Sequence, residues 1–96
     1  MSTYLELGTQ AKAEKRTWYF SFVDDLPTGV SVSSATATHY PPSGSASTPT
    51  VGTITANVVP VTLDTPDVVG DHYLDCLATL SNADTSLIRG HIRVDF

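Results

Sequence analysis

The chain has 96 residues, enough for one domain and too few for two, and its 41% apolar content is too high for a disordered acidic chain. The net charge of −5 is split into +1 over residues 1–16 and −6 over residues 17–96, so the acidic body repels phosphates and excludes nucleic acid from that surface. A single cysteine excludes an internal disulfide. No apolar run is long enough for a membrane span or a leader segment, so a soluble protein made in a cytoplasm is expected.

Thr, Ser and Val dominate while Lys, Glu and Gln are scarce, a balance that favours strands over helices. Residues 1–16 read as an arm. "YLEL" alternates like a short strand, but "GTQAKAEKR" has no apolar face wide enough to bury. The domain proper is expected over residues 17–96. It opens with "TWYFSFV", where Trp18, Phe20 and Phe22 share one parity and Tyr19, Ser21 and Val23 the other, a strong strand signal with the Trp18 face inward. Asp24 and Asp25 precede Pro27 and Gly29 and read as turn residues.

"VSVSSATATHY" changes parity midway, from Val30 and Val32 to Ala35 and Ala37, which predicts a bulge near Ser33–Ser34 or a split into two strands. "PPSGSASTPTVG" is a loop. In "TITANVVPVTLD" the parity of Ile54, Ala56 and Val58 gives way to that of Val61 and Leu63, and the shift is assigned to Pro60. "HYLDCLATL" places His72, Leu74, Cys76, Ala78 and Leu80 on one face. "LIRGHIRVDF" places Ile88, Ile92, Val94 and Phe96 inward and Arg89, His91 and Arg93 outward. Six to eight short strands separated by Gly, Pro and Asp turns predict an all-β antiparallel sandwich, with a partly open barrel as the alternative.

Catalytic chemistry has little to stand on. Cys76 sits in a small apolar stripe, where a cysteine behaves as a hydrophobe and a raised pKa blunts its reactivity. His72 shares that face two strand steps away and is placed beside a turn, where its ring reaches water. His39 and His91 are read as surface or strand-end histidines. No pair of histidines has zinc-motif spacing, no phosphate loop or nucleophile elbow occurs, and Asp64, Asp67, Asp71 and Asp84 read as solvated turn residues. No enzyme, no cofactor and no metal are expected. Lys12, Lys15 and Arg16 form a basic cluster that either is solvated or touches an acidic partner. Arg89 and Arg93 on the last strand are read the same way, with the acidic body of a neighbouring copy as one such partner. The four tyrosines Tyr4, Tyr19, Tyr40 and Tyr73 share no strand, which argues against a sugar platform.

The order of these segments carries a resemblance. "KRTWYFSFVDDLPTG", the stretch "SVSSATATHYPPSGSASTPT" and above all "GDHYLDCLATLSNADTSLIRGHIRVDF" resemble small structural proteins of tailed bacteriophages with one immunoglobulin-like domain, nearest the phage fibre–tail adaptor family. The likeness runs over residues 14–96. Tyr73 lies three residues before Cys76, on the opposite face, so neither a tyrosine corner nor an inter-sheet bridge carries over. The resemblance implies an immunoglobulin-like sandwich and a virion component of the tail or neck. Such a component joins other phage structural proteins and copies of itself, often in a ring, with no nucleic-acid or membrane partner. A capsid decoration protein and a free carbohydrate- or protein-binding module are the alternatives.

Overall fold

The computed structural model describes residues 2–96, with the side chains of residues 4–24 and 26–96. Among these residues seven strands form two sheets packed face to face. They are β1 (Ser2–Ala11), β2 (Lys15–Ser21), β3 (Val32–Tyr40), β4 (Thr50–Val51), β5 (Val58–Asp64), β6 (Gly70–Leu80) and β7 (Thr85–Asp95). One sheet has the order β1-β7-β6-β3 and the other β2-β5-β4. β2 pairs with β5 in one sheet while β3 pairs with β6 in the other, so the chain interlocks across the sandwich in the immunoglobulin manner. The pairs are antiparallel except β1 with β7, which run parallel.

The alternation read from the sequence is what fills the space between the sheets. Phe20 and Phe22 continue the β2 face, Val59, Val61 and Leu63 come from β5, Leu74, Cys76 and Ala78 from β6, and Ile88, Ile92 and Val94 from β7. Trp18 packs at the rim of this core. The expected bulge in β3 is present between Val32 and Ser34. Val23–Asp25 form a 3-10 turn after β2; the side chain of Asp25 lies outside the described residues.

Three expectations need correction. Residues 2–16 are not an arm ahead of the domain. β1 lies along β7 from Ser2 to Ala11, and β2 already begins at Lys15, so no domain boundary falls at residue 16. The signal was weak because β1 buries little besides Gln10, a polar residue. The parity change around Pro60 arises earlier in the chain. Thr55 and Val58 exchange both backbone hydrogen bonds (3.1 and 2.9 Å) around Ala56 and Asn57, each with positive φ, and the strand starts afresh at Val58. Pro60 itself keeps the register between Val59 and Val61. Its carbonyl accepts from Gly52 N–H at 2.9 Å, so its missing N–H points toward the short β4 and the β2–β5 ladder loses nothing. Finally, Phe96 lies past the end of β7 and is exposed, with Lys12 Nζ 4.9 Å from its ring centroid.

Candidate interaction face

Cys76 is fully buried between Leu74 and Ala78 on its face of β6, and burial pushes its thiol up to about 12. A thiol held neutral and away from solvent is no nucleophile at physiological pH. The two histidines near it are not surface residues. His72 is fully buried and His39 nearly so, because Leu74 and His39 are register partners and His72 lies on the inward face just beyond them.

These histidines belong to one hydrogen-bonded line. His72 Nε2 meets the Val68 carbonyl, His72 Nδ1 lies 2.7 Å from His39 Nε2, and His39 Nδ1 lies 3.2 Å from Ser47 Oγ. The rings are near-coplanar (10°) with centroids 5.0 Å apart, which at that N···N distance is an edge-to-edge bond and not a face stack. A carbonyl can only accept, so His72 Nε2 donates to Val68. In the neutral pair His72 Nδ1 must then accept from His39 Nε2–H, and Ser47 donates to His39 Nδ1. Burial, and then the neighbouring His72, hold His39 below the ordinary histidine range. Ser47 also exchanges two backbone hydrogen bonds with His39, so the line pins the Pro/Ser loop to β3.

The outward face of the four-stranded sheet is where accessible chemistry collects. Its residues form rows across β1, β7, β6 and β3. One row is Tyr4, Arg89, Asp75 and Thr38, and the next is Glu6, His91, Tyr73 and Tyr40. Leu87 and Leu77 pair above them, and Arg93 and Asp71 pair below. Arg89 makes two hydrogen bonds to Asp75 (2.6 and 2.9 Å), and its guanidinium lies 5.4 Å from the Tyr40 ring and 5.5 Å from the Tyr73 ring. His91 is gripped on both nitrogens, Nδ1 by Glu6 at 2.7 Å and Nε2 by Asp71 at 2.9 Å. Glu6 first and Asp71 second raise the His91 pKa, and the His91 hydrogen bond is the main cause lowering both carboxyls. Tyr4 (58% exposed), whose hydroxyl donates to Glu6 Oε1 at 3.0 Å, Leu77 (41%) and Tyr40 (39%) are exposed apolar or aromatic side chains on this surface.

The five basic residues singled out from the sequence do not form one site. Lys12 covers Phe96. Arg16 bonds Glu14 (2.8 Å) and the Thr9 carbonyl (3.0 Å) and lies over Trp18, and Lys15 is exposed opposite Asp64. These three sit at the β1–β2 turn. Arg93 is paired with Asp71 (3.6 Å) and Asp95 (3.2 Å), and only Arg89 lies among the tyrosines. The sequence reading missed the convergence of Tyr4, Tyr40 and Tyr73 because the strands that carry them are not consecutive. The one available signal was that all three occupy outward positions of strands already recognised or suspected. Among the described residues no three His, Cys, Asp or Glu side chains are placed to hold a metal ion.

No family model matches the chain, and no curated protein matches it. Among solved structures it is similar to the crystal structure of InlP from Listeria monocytogenes, with a TM-score of 0.55 and 14% identity. The match covers 98% of this chain and 28% of that one, so the chain spans little more than a quarter of its neighbour's length. At that identity the likeness is one of fold: a β-sandwich.

Proposed function

We propose that this protein is a non-enzymatic connector that docks neighbouring proteins of an assembly through the outward face of its four-stranded sheet. The observation that carries this reading is the grouping of Tyr4, Tyr40, Arg89 and Leu77, all exposed, with the half-buried Tyr73 on one outward sheet face. Tyr and Arg dominate binding energy at protein interfaces, and Arg89 is held ready by Asp75 and two rings. Ion pairs on the face are internally satisfied, so a partner covers it without stranding a buried charge. Burial of Cys76 supports the non-enzymatic part.

The sequence resemblance to phage fibre–tail adaptors supports a tailed-phage virion as the assembly, with the tail or neck as the position. Immunogold electron microscopy on particles from the source tests it. Label at the tail or neck upholds the adaptor reading, label over the head makes the protein a capsid decoration, and no label on accessible particles removes the virion. The face is tested separately with Leu77→Asp and Arg89→Ala, which should prevent incorporation while leaving the folded circular dichroism spectrum unchanged. A sugar-binding platform gains from the same three tyrosines. Arg89 already lies over two of the rings, however, which leaves less open aromatic surface for a sugar. Hits on a glycan array would favour that second reading.

A further inference from the structure

A sandwich has open sheet edges, and natural proteins blunt them. β4 has only two paired residues. The β3 edge is broken by the bulge at Val32–Ser34 and closed at its end by the His39–Ser47 bridge. The β2 edge starts with the charged Lys15 and Arg16 and ends in a 3-10 turn. The second half of β1 is bulged at Leu7, its Thr9 carbonyl is taken by Arg16, and its Ala11 N–H is taken by Glu14 Oε1 at 3.1 Å. Among the described residues, Ser2–Glu6 shows one such device, the charge of Glu6 at its end, and that carboxylate is already held by the Tyr4 hydroxyl and His91 Nδ1. The segment pairs with β7 alone, contains no Pro, Lys or Arg, and carries Tyr4 and Leu5 exposed on its two faces.

We infer that the Ser2–Glu6 edge of β1 pairs antiparallel with the same edge of a second copy, on a two-fold axis at Tyr4. The sequence is self-complementary in that register. Glu6 faces Ser2, Leu5 faces Thr3, and the two Tyr4 rings meet across the seam, so no like charges oppose. The four-stranded sheets become one eight-stranded sheet, and an axis normal to it keeps both outward faces on the same side. The dimer thus presents the proposed docking face twice, as one continuous surface. An edge this short gives a small interface, with a dissociation constant on the order of 10–100 µM.

The experiment is sedimentation equilibrium on the full chain from low to high micromolar concentration, with two kinds of variant. Tyr4→Lys puts like charges at the axis and should weaken the dimer about tenfold or more, while the exposed position leaves the melting temperature unchanged. Tyr4→Cys should give a disulfide-linked dimer under mild oxidation, because Cα atoms on the axis are about 5 Å apart. Glu6→Cys should not, because its copies are offset by about 13 Å along the strands. A chain that stays monomeric throughout overturns the inference. So does a dimer indifferent to Tyr4→Lys, or cross-linking at residue 6 in place of residue 4. Loss of assembly with Leu77→Asp but an intact dimer separates this pairing from the docking role of the face.

Discussion

Gln10 has a fully buried side chain on a strand that otherwise buries little, and its amide is completely used. Nε2 donates to the Leu63 carbonyl at 2.9 Å and to the Glu14 carbonyl at 2.8 Å, while Oε1 accepts from Trp18 Nε1 at 2.8 Å. One side chain therefore ties β1 to both strands of the opposite sheet nearest to it. Gln10→Leu keeps the size but strands an indole N–H and a buried carbonyl, so urea unfolding should show a loss of about 2–3 kcal/mol. Gln10→Glu is the sharper probe. It keeps the acceptor for Trp18 but turns an oxygen toward two carbonyls, so its deficit should shrink as the carboxyl protonates at acid pH. None of this was legible in "GTQAKAEKR", where Gln10 looks like one more polar residue, because the sequence identifies the strands of Trp18 and Leu63 but not how they lie against β1. The His39–His72 line escaped notice for the same reason: 33 residues separate two rings that the β3–β6 register brings together.

Elements are held in register by their turns, and two of these are made by residues that fit poorly. Ala83 closes the β6–β7 hairpin at φ 73°, between the Ala83 N–H to Leu80 carbonyl bond (2.9 Å) and the Leu80 N–H to Asp84 carbonyl bond (2.8 Å). Ala56 sits at φ 50° in the turn before β5. A left-handed conformation costs an alanine about 1 kcal/mol that glycine avoids. Ala83→Gly should therefore stabilise the domain by up to about 1 kcal/mol in a thermal melt, although it removes a side chain. Asn57, at φ 65°, is better matched, and its Oδ1 also accepts the Val32 N–H at 2.9 Å. The reverse case is Gly90 on β7. A Cβ there would lie 2.5 Å from Leu7 Cδ1, 2.9 Å from its Cγ and 3.1 Å from Phe20 Cε2. Leu7 can yield only in part, so Gly90→Ala should cost about 1–3 kcal/mol by denaturant titration. That contact also shows β1 to be a wall of the core, so deleting residues 1–11 should lower the melting temperature by about 10 °C or more. Strands with two-residue alternation, such as "TWYFSFV" and "HYLDCLATL", were legible with their inward faces. β1 was not, because an edge strand alongside β7 needs no apolar stripe of its own.

Across the whole molecule, opposed titrations set the dependence of stability on pH. His91 is held above its ordinary value of 6.5 by Glu6 and Asp71, so the folded state binds this proton more tightly than the unfolded chain. Its stabilisation is complete below 6.5 and is lost as pH rises through the raised value. Glu6 and Asp71 are held below their ordinary 4.5 and 3.8, so their stabilisation is complete above those values and is lost as pH falls through the lowered ones. His39 behaves oppositely to His91. Burial lowers it from 6.5, so the fold is at full strength above 6.5 and weakens as pH falls toward the lowered value. The melting temperature should thus decline on both sides of neutrality, with His91 behind the alkaline limb and His39 behind the first part of the acid limb. A series of melts from about pH 4.5 to 9 checks this, with His91→Gln expected to flatten the alkaline limb and to leave the His39 part of the acid limb. Salt separates the two further. The His91 clamp lies on the surface, where about 1 M salt screens charges to within about 3 Å, so its limb should shrink. The His39 limb comes from desolvation inside the sandwich and should persist. An alkaline limb unchanged by His91→Gln would mean that the three-strand clamp across β1, β7 and β6 does not hold in solution, and the ordering of the outward face would have to rest on Arg89 and its tyrosines instead.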